Sequence, residues 1–423
     1  MTIRIRRAIL VVSLTALGAC NQLLEVEVPG RVTADALGDP GLAPILHAAA
    51  LQSAQCAIAQ YVATGGMLAG EYISANGFVD NHPWEWRGIV EIQNAAGSCP
   101  GNRNTTSMGY YTPMQQARFQ LEDQATRLQA FTDAQVPNRL QLLAEAQAYA
   151  GYMYTMLAEG FCELAIDGGP KLTPAQVFAL ADAKFTSAIT TATALPVNAN
   201  STSILNMARV GRARTRLNLG NLSGAGADAS LVPAGFVRNA EFSETAPVRE
   251  NRLFNLTIRN DFLSVHPDYR GLTVNGVADP RVRVNNMNRI GPDNVTPMWQ
   301  QQKFIGSGAV ALPIASYAEA QLIVAETSTG QAAIDAMNRV RALSGIAPLP
   351  AFTAGTDVGA LVIEERRRQL FSEGHRYNDM LRKKLPFQMG TNGANRKGQN
   401  FSNMTCIPLP FVETRNNPNF SGA

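Results

Sequence analysis

Residues 361–382 read LVIEERRRQLFSEGHRYNDMLR, the densest run of charge in a chain of 423 residues that is only 16% charged. Leu361, Val362, Leu370, Phe371, Tyr377, Met380 and Leu381 recur at helical spacing along it. Thr356 or Asp357 supplies a short oxygen-bearing side chain to cap its start. Gly374 marks a bend, because glycine reaches a left-handed backbone without steric cost, and Pro386 stops the second helix. The stretch therefore reads as two helices joined at a turn. Residues three to four apart share a helix face, so Glu364 with Arg368 and Glu373 with Arg376 are expected to pair. Three successive arginines read as a salt-bridged face, since one short run is a poor nucleic-acid signature.

The order of these residues carries more than their charge. Glu365, Arg366, Arg367, Leu370, Glu373, Gly374, Arg376, Tyr377, Asp379 and Arg382 resemble, position by position, a segment of the SusD/RagB family of outer-membrane nutrient-binding lipoproteins. Gln369 stands where that family usually has an acidic residue, and Met380 where it usually has leucine. Upstream, Asp279-Pro280-Arg281, Trp299 to Phe304, and the helix pair 314–327 and 331–343 resemble further landmarks, through Tyr317, Glu319, Glu326, Asn338, Val340 and Arg341. Ser316 replaces an arginine. Ile407-Pro408 to Glu413 and Asn417-Pro418 resemble the family's closing segment. The resemblance implies a mostly α fold, a tetratricopeptide-like scaffold bearing an irregular, loop-rich ligand face and a few short strands. It also implies that residues 361–382 are scaffold, and it carries over no ligand-binding residue.

The rest of the chain fits that frame. Residues 139–160 and 174–193 open 35 positions apart, near the tetratricopeptide period, and Ala181, Phe185 and Ala188 follow a small, aromatic, small pattern. A helix is expected from Asp39-Pro40 to about Ala63, another over 113–130, and a pair at 204–219 and 222–231 hinged at Gly220. Leu253 to Ile258 alternates like a strand. Residues 65–112 read as a variable loop-rich part and 232–308 as irregular, with helical repeats over 113–231 and 314–385, all in one domain from residue 41.

The N-terminus reads MTIRIRRAILVVSLTALGAC. Three arginines precede an apolar run to about Leu17, shorter than the roughly 20 residues that span a bilayer and suited to a secretory signal. Leu17-Gly18-Ala19-Cys20 resembles a lipobox, which implies a leader over 1–19, lipidation at Cys20 and a tether over 20–40. The formal charge of +3 matches Arg4, Arg6 and Arg7 of that leader, so the remainder is formally neutral. Neutrality argues against nucleic acid as a partner. Cys56, Cys99, Cys162 and Cys406 remain. They include no C-x-x-C pair and permit three disulfide connectivities, of which Cys56 with Cys99 closes a short loop.

No hydrolase, nucleotide or metal motif occurs, and His47, His82, His266 and His375 are scattered, so neither a catalytic set nor a cofactor nor a metal is expected. Binding is the expected function. Aromatic rings meet the C–H faces of sugars while amide, carboxylate and guanidinium groups meet hydroxyls. Trp84 and Trp86, with Asn81, Asp80, Arg87, Asn76 and Tyr72 nearby, supply both kinds of group. Each buried ring face contributes about 2 kcal/mol. A core role for the two tryptophans competes with this reading. By resemblance the chain captures oligosaccharide or peptide at the outer face of the outer membrane and delivers it to a SusC-type TonB-dependent transporter. A surface-anchored glycan hydrolase and a helical-repeat adaptor are the alternatives.

Overall fold

The structure, a computed structural model, describes residues 35–88, 96–105, 107–387 and 396–420. The leader, Cys20 and most of the tether lie outside them. The chain divides into two units, residues 1–42 and 43–423. In the first, two single 3-10 turns, Asp35–Gly38 and Pro40–Leu42, are separated by Asp39, whose Oδ1 accepts from Gly41 N at 2.8 Å.

The second unit opens with α1, Ala43–Leu68, which starts three residues later and ends five later than the expected helix. Every residue from Cys56 to Leu68 is buried. A helix apolar all round sits inside a core, and alanines at 54, 57, 59 and 63 let its neighbours approach closely. The short α2, His82–Trp86, precedes a helical run. This run comprises α3 (Tyr111–Ala130), α4 (Arg139–Ala158), α5 (Pro174–Thr193), α6 (Ala199–Asn218) and α7 (Leu222–Ser230). Thr173 and Gln176 form a capping box at the head of α5, and Pro174 stands at its first position, where no N–H is needed. Phe185 of α5 is the wedge of the repeat. Glycines face it from both flanks, Gly151 of α4 and Gly211 of α6, where an added Cβ would come within 2.7 and 2.3 Å of its ring. Tyr152 completes the contact edge-on at 5.1 Å.

The middle section pairs distant strands. Strands β1 (Tyr72–Ser74), β2 (Val237–Ala240) and β3 (Leu263–Val265) come first. They are followed by β4 (Thr273–Val274), β5 (Val277–Ala278), β6 (Val284–Ile290), β7 (Pro297–Gln301) and β8 (Leu312–Ser316). They form antiparallel pairs, β1 with β3, β2 with β8, β4 with β5 and β6 with β7. Two expectations from the sequence are corrected by this section. Leu253 to Ile258 is not a strand: α8, Arg252–Phe254, runs into a π turn at Asn255–Arg259. Asn251 caps it, accepting from Phe254 N at 3.2 Å, and Leu253, Phe254 and Leu256 are all buried. Periodicity cannot type so short an apolar run. Residues 314–316 belong to β8 rather than to the following helix. That helix, α9, begins at Tyr317 because Ser316 caps it through a 3.1 Å bond from Glu319 N.

Helices α9 (Tyr317–Thr327), α10 (Gly330–Leu343), α11 (Val358–Gln369) and α12 (Arg376–Arg382) come next, with α13 (Phe411–Asn416) near the end. Asp357 caps α11, accepting from Ala360 N at 2.9 Å. Gly374 has φ +82° in the turn between α11 and α12. Glu364 pairs with Arg368 at 2.6 Å as expected. Glu373 does not take Arg376: it faces Lys303 Nζ at 2.6 Å, and the same ammonium donates to the carbonyls of Gln369 and Phe371, capping α11. Glu365 accepts from both Arg281 and Arg341, while Asp279 accepts from Arg281 and Arg368. These charges are spent on one another. Disulfides join Cys56 to Cys99 and Cys162 to Cys406.

Candidate functional site

The residues expected to bind ligand separate in space. Trp84 is fully buried in the main core and Asn81 is fully buried beside it. An indole with no exposed face cannot stack on a sugar, so the Trp84 platform is corrected to a core role. Asn76 is likewise spent on the backbone, donating to Phe262 O at 3.0 Å and accepting from Phe78 N. Asp80 is exposed. Trp86 is half-buried, its ring against Gly88, where a Cβ would come within 2.0 Å of it.

Tyr72 and Arg87 line a cleft that neither Trp86 nor Asp80 reaches. This cleft, of about 330 Å³, opens where five distant stretches meet: the end of α1 with β1, the end of α2, the turn after β3, α11 and α12 with Pro386 and Phe387 beyond them, and residues 396–401. Tyr72 is buried in its wall, with Oη 2.5 Å from Ser372 Oγ. Arg87, in a left-handed conformation at φ 55°, donates to Met404 O at 3.1 Å and Ser402 O at 3.2 Å. Its guanidinium lies 5.1 Å from the centre of the Phe387 ring and 5.5 Å from that of Phe401. On the opposite wall Arg367 stacks on Tyr269 at 4.6 Å. Both phenylalanines are half-buried.

Beneath the lining, polar atoms lie buried and short of partners. Among the described residues nothing accepts from Arg376 Nη1, Tyr269 Oη has no hydrogen-bond partner, and Glu71 Oε2 behind them has none. Burial raises the Glu71 carboxyl to about 7, against the bond from Ser372 N and the field of Arg376. Burial also raises Glu85, which accepts from Ser74 N at 2.8 Å. His266 is pushed down by burial and by the nearby Arg270, Arg396 and Arg367, against the pull of Asp268. The His266 imidazole is therefore neutral at pH 7. Among the described residues no group of three His, Cys, Asp or Glu is placed to hold a metal ion.

Sequence reasoning missed Tyr269, Arg367, Arg376, Phe387, Arg396 and Phe401 as cleft residues. They come from three stretches with no local binding signature, and Arg367 and Arg376 were read as salt-bridged scaffold. Arg367 is in part that, with Glu364 3.2 Å away.

Residues 316–419 match the model of the SusD family. No curated protein sequence matches the chain. Solved structures share the fold over most of both chains. A laminarin-binding SusD-like protein superposes with TM-score 0.60 at 16% identity, over 88% of this chain and 98% of that one. A SusD-like carbohydrate-binding protein from Bacteroides vulgatus gives 0.65 at 13%, over 90% and 97%. Surface glycan-binding protein A from Bacteroides fluxus gives 0.66 at 13%, over 89% and 99%.

Proposed function

Starting from a chain of the SusD/RagB family, we propose that this protein is a surface-exposed binding lipoprotein that captures oligosaccharide in the cleft beside Tyr269 and passes it to a SusC-type TonB-dependent transporter. The observation that carries the reading is the cleft itself, where half-buried rings of Phe387 and Phe401 stand among guanidinium and phenol donors. Such a lining suits a ligand whose faces are apolar and whose edges are hydroxylated. One or two ring contacts and a few hydrogen bonds, less the cost of ordering, amount to about micromolar to millimolar affinity. Several solved structures of this fold are of glycan-binding proteins, which favours sugar over peptide.

Export and anchoring rest on separate features. The leader over 1–19 and the lipobox ending at Cys20 direct the chain to a membrane surface, with residues 20–40 as tether and the single domain after it outside the cell. Two disulfides suit an oxidising compartment. In this reading the protein binds and releases sugar unchanged.

The test uses the full chain in two assays. Recovered from detergent-solubilised membranes, it is expected with a large β-barrel partner; recovery alone sinks the delivery role. Screened against oligosaccharides by calorimetry, it is expected to bind one and to lose at least about tenfold in affinity on Phe401→Ala with an unchanged melting temperature. Binding that ignores Phe401→Ala and Arg87→Gln alike rejects this cleft.

A further inference from the structure

Lys397 belongs to a strap, residues 396–404, whose Arg396 and Phe401 form one wall of the cleft. Between those two in sequence, its own side chain enters a cage of acceptors on the body of the protein. The ammonium lies 2.8 Å from Asn76 O, 3.2 Å from Ser74 O, 3.4 Å from Ser74 Oγ, 3.2 Å from Asp293 Oδ2 and 2.9 Å from His82 Nε2. The end of β1, the start of α2 and the turn between β6 and β7 supply these groups. The Lys397 and Asp293 side chains are 13% and 3% exposed, so the pair is little screened by salt. Past the far end of the strap the chain is fixed independently, since Cys406 is bonded to Cys162 and Ile407 N donates to Gly160 O. The middle is held by Arg87, which donates to the Ser402 and Met404 carbonyls, and by Ser402 N, which donates to Trp86 O at 2.8 Å. Lys397 fastens the other end.

One member of the cage makes this fastening conditional. His82 Nε2 is 2.8 Å from Asn76 O as well as 2.9 Å from the ammonium. An ammonium has no lone pair, so Nε2 accepts from it only in a neutral imidazole whose proton sits on Nδ1. Burial and the Lys397 charge hold His82 below its ordinary 6.5, against Asn76 O and Asp293, so it is neutral at pH 7. A second proton gives Nε2 an N–H that turns to Asn76 O and sets two cations side by side. The other charges around the cage, Asp293, Glu85 and Arg396, do not cancel that repulsion. Asp293 is already paired with the ammonium, burial raises the Glu85 carboxyl toward its neutral form, and Arg396 is itself positive. We infer that Lys397 is a positioning residue of the cleft: its caged ammonium holds the strap as a wall in neutral solution, and protonation of His82 unseats it, so the wall loosens in acid. Whatever the cleft binds is gripped at neutral pH and released more readily on acidification.

Hydrogen exchange of the full-length protein, followed by mass spectrometry and corrected for the intrinsic effect of pH, reads the strap without any ligand. Protection over residues 396–405 is expected to fall about tenfold between pH about 7.5 and about 5, while that of α3 holds. His82→Gln, which cannot take the second proton, should keep the strap protected at both. Lys397→Met should lose that protection at both, with the melting temperature unchanged. In Lys397→Ala, methylammonium should restore protection, whereas tetramethylammonium, which has the charge but no N–H, should not. Protection that survives Lys397→Met overturns the inference. So does a pH slope kept by His82→Gln, which would place the titrating group at Glu85. Should Lys397→Met loosen α3 as well, the His82→Gln profile and the amine rescue still decide. Each outcome is independent of what the cleft binds, so the glycan reading stands or falls by its own assays.

Discussion

Arg366 on α11 donates through Nε to Asp379 Oδ2 on α12 at 2.8 Å, across the bend at Gly374, with both side chains buried. Asp379 Oδ1 accepts in turn from Arg382 at 2.9 Å. Burial would raise this carboxyl, but the two guanidiniums more than offset it and hold it well below the usual aspartate range. Removing it with Asp379→Ala strands buried positive charge and is expected to cost about 3–5 kcal/mol in urea unfolding at pH 7. The sign follows from the lowered value: the stabilisation is complete above the ordinary aspartate range and is lost progressively as pH falls from there toward the lower folded value. The parent should therefore lose more stability on acidification than the variant, and parallel acid-unfolding curves would contradict this pairing.

Glu319 has the opposite sign. It is buried in α9 with Oε1 3.8 Å from both Arg214 and His375, and desolvation raises its carboxyl to about 8 despite the arginines. Below the usual glutamate value of 4.5 it is neutral in both folded and unfolded chains, and its ionisation penalises the fold increasingly as pH rises toward 8. Glu319→Gln should be near-neutral at the acid end and stabilising, on the order of 3 kcal/mol, above pH about 8. Denaturant midpoints at the two extremes decide the matter.

Gly374 is held for two reasons that separate experimentally. Its φ of +82° disfavours any side chain, and a Cβ there would sit 2.8 Å from Tyr61 Cε1 and 3.2 Å from Val62. Gly70 has a similar φ of +69° with nothing within 4 Å. Gly374→Ala is expected to cost about 2–4 kcal/mol and Gly70→Ala about 1. Equal losses would mean that packing against Tyr61 contributes nothing.

The disulfides differ in span. Cys56–Cys99 closes 43 residues and Cys162–Cys406 closes 244. Chain-entropy reasoning gives upper limits of roughly 4 and 5 kcal/mol. Paired alanine replacement of either should lower the melting temperature, with the larger drop for Cys162 and Cys406. A reversed order would point to native-state contacts rather than chain restriction.

The scaffold was legible because its signals are local and dense. The bend at Gly374, the 35-residue spacing of α4 and α5 and the pattern around Phe185 are written within single helices or adjacent ones. Boundaries slipped where a cap decides them, as at Ser316, and element type slipped at Leu253 to Ile258, where an apolar run shorter than two helical turns fits either period. The cleft was hardly legible. Tyr72 and Arg87 were among the expected binders, yet their partners Tyr269, Arg376 and Phe401 are up to 329 residues from Tyr72 and are brought there only by folding. Trp84 misled because a tryptophan in a glycine-rich stretch looks like a surface platform, and nothing in the sequence tells which way α2 turns its faces.

The Cys162–Cys406 bond also dictates a schedule. If the chain is exported as proposed, N-terminus first into an oxidising space, Cys56, Cys99 and Cys162 arrive well before Cys406, so three thiols wait together while only two of them belong to each other. Cys56 and Cys99 must find one another early, and Cys162 must stay reduced, sheltered or exchangeable until the final segment arrives and Ile407 N bonds Gly160 O at 2.9 Å. Productive maturation is thus gated by the last stretch of chain to arrive.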